Sequence, residues 1–155
     1  MSRNDGVLFA VDASSNEPYA PDEKDERKVI RRQLRERRGQ KSFREKLRTR
    51  FEDACLVTGC TLIDLLEAAH INPYRGVKDN HPSNGLLLRA DIHTLFDLNL
   101  IGIEPITLQI RVNPKLEDTE YEQYARRKLA CGAAQPSVKA LEARWKMFQA
   151  LLPRN

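Results

Sequence analysis

The sequence predicts an α+β fold in which basic helices come first, a group of short strands follows and a helix ends the chain. Three observations support this fold class. Before residue 54, charged residues surround apolar residues at helical spacing, as in amphipathic helices. Over residues 62–112, short apolar runs are separated by glycine, proline and polar residues, as in strands and hairpins. After Ser137, apolar residues again recur at the spacing of a helix that packs on a core.

Length and composition indicate one folded domain. The 155 residues are 41% hydrophobic and 31% charged, and no apolar run approaches the roughly 18 residues that a membrane span needs. The apolar stretch at residues 7–11 is too short for a secretory signal. Three cysteines, an odd number, argue against a disulfide framework and for a reducing compartment. We therefore expect a cytoplasmic protein without a membrane partner.

Basic residues are concentrated in one segment. Residues 24–50 contain 13 of the 26 lysines and arginines and four acidic residues, a net charge of +9, so the rest of the chain carries −5 within the overall +4. One cationic surface on a slightly acidic body is typical of a protein that binds a polyanion. A pair of amphipathic helices that only solubilises the fold is the alternative.

Two basic helices are expected over residues 24–54, after an irregular lead-in with a short strand over residues 1–23. The first helix is expected to begin after Asp22 and to end at Gly39, because glycine interrupts helices. Ser42 is expected to cap the second helix, because a serine hydroxyl accepts a hydrogen bond from the first helical turn.

Apolar residues define the buried face of the second basic helix. Phe43, Leu47 and Phe51 recur every four residues and are predicted to pack in the core. Arg44 and Arg48 lie between them, and we expect their side chains to be free to contact phosphates.

Residues 55–103 are predicted to contain two strands followed by a helix. A helical turn is expected at residues 61–65 and a strand at residues 66–71, which Pro73 ends because proline has no N–H to donate. The leucine run at residues 86–88 predicts a second, buried strand.

A helix, a hairpin and a last helix are expected after these strands. Asp91 occupies the N-cap position of the first helix. The hairpin arms are expected at residues 100–103 and 106–112, since the second arm alternates between apolar and polar residues. Ser137 is expected to cap the last helix. Its predicted core seam consists of Val138, Leu141, Trp145, Phe148 and Leu152.

The histidines of the chain are confined to one short segment. His70, His81 and His93 lie within 24 positions, and Asn84 lies between them. Three motifs follow one another there: AAHI at 68–71, HPSNGLLL at 81–88 and DIHTLFD at 91–97. With these motifs, residues 55–103 resemble the HNH endonucleases, whose site is built on a ββα-metal unit. The predicted hairpin arm and C-terminal helix of residues 104–155 would then be additions to that core.

The chemistry of phosphodiester hydrolysis suits these residues. It needs a base near neutral pH, which a histidine supplies, and a cation that neutralises charge on the phosphate. His70 at the end of a strand is the predicted base. His93 and Asp97 lie at i and i+4 on one helical face, a geometry able to hold a divalent ion. Mg²⁺ is the expected ion, with Mn²⁺, Ni²⁺ or Zn²⁺ as alternatives.

The resemblance gives Asn84 two alternative roles, and it leaves one expected ligand missing. Asn84 either orients the base histidine by holding the loop or approaches the metal directly. Many family members carry Asp or His immediately before the base histidine as a metal ligand, but this chain has Ala69. Water and phosphate would then complete the shell of His93 and Asp97, or another carboxylate such as Asp91 would contribute. A weakened or inactive site is the alternative.

The remaining histidine and the cysteines have simpler interpretations. His81 is expected to hold the loop and not to bind a metal. A structural zinc site usually has four ligands in two close pairs. Cys55 and Cys60 form one such pair, but Cys131 is far away and a second pair is missing. We therefore expect buried thiols, and a structural zinc site is the alternative.

Basic residues near the predicted site are candidates for nucleic-acid binding, together with Arg44 and Arg48. Arg75, Lys78 and Arg89 flank the histidines in the sequence. Arg89, just before the helix, is the best placed of the three to bind a phosphate. A salt bridge to a nearby acidic residue is the alternative for Arg89.

The sequence therefore predicts a metal-dependent endonuclease that acts on DNA, without a module that reads base sequence. A free nuclease would harm its host, which suggests restriction or anti-phage defence, with activity controlled by a partner, by homo-oligomerisation or by a further domain. Two alternatives stay open. One is a non-catalytic nucleic-acid-binding module on the same scaffold, and the other is a nuclease for RNA or structured DNA.

Overall fold

The computed structural model describes residues 18–21 and 38–154 of the chain. Its helices are α1 (Arg38–Arg50), α2 (Ala90–Asp97) and α3 (Val138–Ala150). Its strands are β1 (Leu66–His70), β2 (Gly85–Arg89), β3 (Ile101–Ile103) and β4 (Ile110–Val112). The strands form two antiparallel pairs, β1 with β2 and β3 with β4. This architecture confirms the predicted α+β fold and its ββα order.

Several predictions on the N-terminal region lie outside the described residues. They include the first basic helix and the lead-in strand, whereas residues 18–21 have no regular structure. None of the helices within the described ranges is long and apolar enough to cross a membrane.

Helix α1 passes through Gly39 and Ser42, so the predicted break at Gly39 and the predicted cap at Ser42 are wrong. One glycine costs a helix about 1 kcal/mol relative to alanine. Burial of one large apolar side chain contributes roughly 2 kcal/mol, and α1 together with the residue that follows it buries three. These are Phe43, Leu47 and Phe51, which are at most 6% exposed, as predicted.

Strands β1 and β2 agree with the prediction to within a residue or two at each end. They pair in register from Leu66 opposite Arg89 to His70 opposite Gly85. A 3₁₀ turn at Ile63–Leu65 precedes β1, where a helical turn was predicted. The residues of β2 from Gly85 to Leu88 are all buried, so the leucine run correctly identified a strand within the core.

Helix α1 packs against this sheet at Gly85. A Cβ atom at this position would lie 2.6 Å from side-chain atoms of Phe43 and Leu47. That is closer than packed atoms approach one another. Glycine therefore allows α1 to contact β2 and fixes the helix beside the strand that ends at His70.

Helix α2 begins at Ala90, and its N-cap residue is Arg89, so the predicted N-cap at Asp91 is wrong. Asp91 lies in the first turn, where its carboxylate accepts hydrogen bonds from the Arg89 guanidinium at 2.7 and 2.9 Å. It also accepts one from the Tyr121 hydroxyl at 2.9 Å. The Arg89 contact is the main reason that the pKa of Asp91 is lowered to about 2, and the Tyr121 contact adds to it.

Asp91 is expected to stabilise the fold in a pH-dependent way. Because its pKa falls from 3.8 to about 2 on folding, its contribution is present above about pH 4 and is lost as the pH falls toward about 2. Asp91→Asn should lower the free energy of unfolding near neutral pH by about 1 kcal/mol, allowing for solvent screening. Urea unfolding across this pH range measures it. The difference from wild type should shrink on acidification, whereas Asp118→Asn, on an exposed loop residue, should show no such trend.

Strand β4 is shorter than predicted. The Glu104 carboxylate accepts hydrogen bonds from the backbone N–H groups of Ile106 and Thr107 and holds them in a turn. Leu108 has a φ of 58°, in the left-handed region, which an extended strand does not contain. The predicted second arm at 106–112 is therefore wrong before Ile110, and Ile106 is 75% exposed.

Helix α3 is capped by Ser137, whose hydroxyl accepts a hydrogen bond from the first turn, as predicted. The seam is confirmed at Leu141 and Phe148, which are at most 2% exposed, but Val138 is 43% exposed. The helix packs on β3 where a Cβ atom at Gly102 would overlap the Phe148 ring. This contact brings the face of α3 toward α2.

Candidate active site

Three of the predicted site residues line one cavity of about 420 Å³. They are His70 from the end of β1 and His93 and Asp97 from α2. Gln40 of α1 and Arg144 of α3 also line it. Folding therefore brings together the predicted base and the two predicted metal ligands, and it adds residues from both flanking helices.

The imidazole of His70 is held in a defined orientation. Its Nε2 lies 2.9 Å from the Asn80 Oδ1. Because an amide oxygen only accepts hydrogen bonds, this contact assigns the proton of a neutral His70 to Nε2 and the lone pair to Nδ1. The ring stacks on Phe43 with centroids 4.3 Å apart and planes at 11°, and Tyr74 lies at 5.6 Å. These contacts leave one basic nitrogen in a fixed ring.

Asn84 holds the loop between β1 and β2, and it is only 8% exposed. Its Oδ1 accepts a hydrogen bond from the Asn72 N–H at 2.9 Å. Its Nδ2 donates to the carbonyl oxygens of Asn72 at 3.1 Å and Asp79 at 2.9 Å. Since Asp79 precedes Asn80, the partner of His70, this geometry favours the orienting role of Asn84 over direct contact with a metal.

His93 lies between two carboxylates. Its Nδ1 is 2.8 Å from the Glu67 Oε1, and its Nε2 is 3.2 Å from the Asp97 Oδ2. An ionised carboxylate only accepts hydrogen bonds. When Nδ1–H donates to Glu67, the lone pair of a neutral His93 at Nε2 faces an oxygen of Asp97. The Nε2 lone pair and the Asp97 oxygen repel each other at this distance, and a proton or a cation bound by both would relieve that repulsion.

The separation of these atoms fits two ligands of one ion. With metal–ligand distances of about 2.0–2.2 Å, neighbouring ligand atoms lie roughly 3 Å apart. The donors of His93 and Asp97 meet this condition at 3.2 Å. No group of three or more histidine, cysteine or acidic side chains within the described residues is arranged to hold an ion. Among the residues that the structure describes, His93 and Asp97 would be the protein ligands of a metal bound here, with water and phosphate completing its shell.

Position 69, directly before the predicted base His70, holds no metal ligand in this chain. Ala69 is fully buried. Asp91, the other predicted carboxylate, is engaged by Arg89 and Tyr121, so that alternative is not supported. Glu67, two residues before Ala69, brings a carboxylate from β1 to His93. Sequence reasoning did not assign it a role, although an acidic residue that interrupts an apolar run was its visible signal.

Arg44 and Arg48 of α1 are bound within the fold, so the prediction that their side chains are free is wrong. Arg44 donates to the carbonyl oxygens of Leu66 at 3.1 Å and Ile63 at 3.0 Å. Arg48 binds the Asp53 carboxylate at 2.6 Å, which holds the pKa of Asp53 below its usual range. Arg44 nevertheless lines a second cavity of about 360 Å³ beside the Glu67 and His93 side chains.

The other predicted nucleic-acid-binding residues differ in their surroundings. Arg75 and Lys78 are exposed on the loop that carries Asn80. Arg89 forms the ion pair with Asp91, which is the alternative that the sequence left open. The two loop residues are thus the more accessible candidates for phosphate contact.

The cysteines and His81 lie outside this cavity. Cys55 and Cys131 are buried, and Cys60 is half-buried. The Cys55 Sγ accepts hydrogen bonds from the backbone N–H groups of Thr58 at 3.4 Å and Arg89 at 3.2 Å, in agreement with a buried structural thiol. His81 accepts a hydrogen bond from the Ser83 N–H at 3.1 Å and caps a 3₁₀ turn, which confirms its loop-holding role.

Comparison with known proteins supports the resemblance seen in the motifs. Residues 55–104, about a third of the chain, match the family model described as HNH endonuclease. A comparison with curated proteins found no match. The matched segment contains β1, β2, α2 and β3, and it includes His70, Asn84, His93 and Asp97. Residues 55–104 of this chain are therefore similar to the HNH endonuclease family, in the segment that carries all three motifs.

Proposed function

We propose that this chain is a metal-dependent endonuclease that hydrolyses phosphodiester bonds of DNA. The main support for this activity is the cavity that His70 shares with the His93–Asp97 pair. One imidazole in it has a fixed orientation and a basic nitrogen, and the other has a nitrogen beside a carboxylate oxygen. A base and a cation-binding pair in one cavity are what phosphodiester hydrolysis needs.

His70 is the proposed general base. Its Nε2–H donates to Asn80, so Nδ1 is the nitrogen able to take a proton from water. Stacking on Phe43 prevents the ring from turning away. Asn84 is a positioning residue in this proposal, because it holds the carbonyl next to Asn80.

His93 and Asp97 are the proposed metal ligands, and Mg²⁺ is the expected ion, with Mn²⁺, Ni²⁺ or Zn²⁺ as alternatives. When bound, the ion would neutralise charge on the phosphate that is cleaved. Glu67 accepts the Nδ1–H of His93 and so directs the lone pair of Nε2 toward Asp97. Carboxylates commonly orient metal-binding histidines in this way.

A plasmid-cleavage assay tests the proposal. The purified protein should convert supercoiled plasmid to nicked or linear DNA with a divalent ion, and EDTA should stop the reaction. His81→Ala is a suitable control, because it removes an imidazole outside the cavity. Binding of DNA without cleavage of DNA or RNA under any of the four ions would indicate a non-catalytic binding module. Cleavage of RNA alone would keep the mechanism and change the substrate.

Arg75 and Lys78 are proposed to bind the phosphate backbone near the cavity. Each such contact releases condensed counterions, so the affinity for DNA falls steeply with salt concentration. Arg75→Gln with Lys78→Gln should weaken binding to all sequences alike and lower the salt slope by about two units. Fluorescence anisotropy over a salt series measures this slope. The double variant Arg111→Gln with Lys115→Gln removes the same charge elsewhere.

If the salt dependence of binding is unchanged in the Arg75 and Lys78 variant, DNA does not contact these two residues. A path of the DNA past Arg44, which lines the neighbouring cavity, would then be favoured. Arg48 and Arg89 are less suited, since both are held by aspartates. The single domain over residues 24–155, a role in restriction or anti-phage defence, and control by a partner or by homo-oligomerisation stay predictions from the sequence.

A further inference from the structure

Arg144 is a buried cation that lies outside the family-matched segment. It belongs to α3 and is 6% exposed. Its guanidinium lies over the Phe96 ring at 4.5 Å and donates to the Phe96 carbonyl oxygen at 2.7 Å. The same nitrogen is 3.4 Å from the Asp97 Oδ1. A second nitrogen is 3.5 Å from the carbonyl oxygen of Ile71, the residue after His70.

Burial of this guanidinium is unfavourable for the fold. Removal of a cation from water is costly, and apolar residues of similar size commonly replace buried ionic groups without loss of stability. The Arg144 Nε is inaccessible and has no hydrogen-bond partner within the described residues. If the side chain at position 144 only filled space in the core, leucine or methionine would serve as well as arginine.

The contacts of Arg144 all lie where α3 meets the candidate site. Asp97 is 55% exposed at its side chain, so its carboxylate would otherwise rotate in water. Arg144 engages Oδ1, which leaves Oδ2 toward His93. Glu67, His93, Asp97 and Arg144 thus form a row in which acidic and basic groups alternate across β1, α2 and α3.

We propose that Arg144 is a positioning residue of the candidate active site, which holds the Asp97 carboxylate toward His93 and fastens α2 beside the end of β1. The inference rests on the proposed roles of His93 and Asp97. It makes the C-terminal helix part of the site, although the family match ends at residue 104.

Kinetics of Arg144 variants test the proposal. Arg144→Met keeps the volume and removes the charge, and it should lower kcat about 10- to 100-fold with little change in KM for DNA. Arg144→Lys should recover part of kcat, because it keeps the charge but not the two-nitrogen fork. Arg50→Met is a matched control. Arg50 also contacts an aromatic ring, donates to a carbonyl oxygen and has a buried Nε without a partner, but it lies outside the cavity.

The imidazole nitrogens give a readout that does not depend on activity. With only three histidines in the chain, the ¹H–¹⁵N spectrum of the rings is simple to assign. In metal-free protein at one pH, Arg144→Met should shift the His93 signals and leave those of His81 unchanged. Arg144→Lys should shift them less, and Arg50→Met should not shift them.

The outcomes separate this inference from the proposed function. If His93→Ala is inactive and Asp97→Asn needs more of the ion, while Arg144→Met has wild-type kcat and unshifted His93 signals, the role of Arg144 is refuted alone. If the His93 and Asp97 variants cleave like wild type, the proposed function and the inference on Arg144 are both refuted. Should Arg144→Met not fold, Arg144→Lys decides. Reduced kcat with shifted His93 signals supports the proposal, and wild-type values for both overturn it.

Discussion

His70→Ala is expected to abolish cleavage while the protein stays folded and binds DNA. The substitution removes the proposed proton acceptor, and general acid–base groups contribute about 10²–10⁴-fold to rates. The ring of His70 is only partly buried and contacts Phe43 from one side, so its loss leaves the core of α1 in place. Single-turnover cleavage and DNA binding by anisotropy, measured on the same preparation, separate chemistry from affinity.

The His81→Ala variant is the matched control for this experiment. It removes an exposed imidazole that caps the turn at Pro82–Asn84 without reaching the cavity, so it should lower the rate far less than His70→Ala does. A His70→Ala variant that cleaves within a few-fold of wild type would show that His70 is not the base. His93, the other imidazole of the cavity, would then be the next candidate.

His93→Ala and Asp97→Asn are expected to disrupt metal-dependent activity to different degrees. His93→Ala removes a ligand and should abolish cleavage. Asp97→Asn keeps the shape of the side chain but loses its charge, so it should raise the ion concentration for half-maximal activity by at least about tenfold. Cleavage titrated with Mg²⁺ and Mn²⁺, with Mn²⁺ binding followed by electron paramagnetic resonance, measures both effects.

Asp118→Asn makes the same chemical change on an exposed loop and should leave the metal dependence as in wild type. Wild-type Mn²⁺ binding by both site variants would exclude His93 and Asp97 as ligands. If His93→Ala loses activity and Asp97→Asn does not change, Asp97 is not a metal ligand, and its role is the structural contact to Arg144.

The elements that carry the site were predictable because their signals are short-range. A run of leucines predicts a buried strand, and apolar residues at helical spacing predict which face of α1 is buried. The i and i+4 spacing of His93 and Asp97 puts them on one face of α2 whatever surrounds them. The predictions of element boundaries that failed, at Gly39, Ser42, Asp91 and Ile106, concern positions where propensity competes with local hydrogen bonds and tertiary packing.

The partners of the site residues were not predictable from any local pattern. A polar contact depends on the distance between atoms of separate elements, and that distance exists only after the elements pack. The three contacts that orient the site join residues 10, 26 and 47 positions apart. They are those of Asn80 with His70, Glu67 with His93, and Arg144 with Asp97.

The sequence by itself therefore determined the α+β class and the order of strands and helix, and it predicted His70, Asn84, His93 and Asp97 as candidate site residues. Only the tertiary structure decided which side chains stand beside them. It also decided that Arg44 binds backbone carbonyl oxygens. The physical reason is that hydrophobic burial follows the period of each element, whereas polar groups pair with whichever partner packing brings within hydrogen-bond distance.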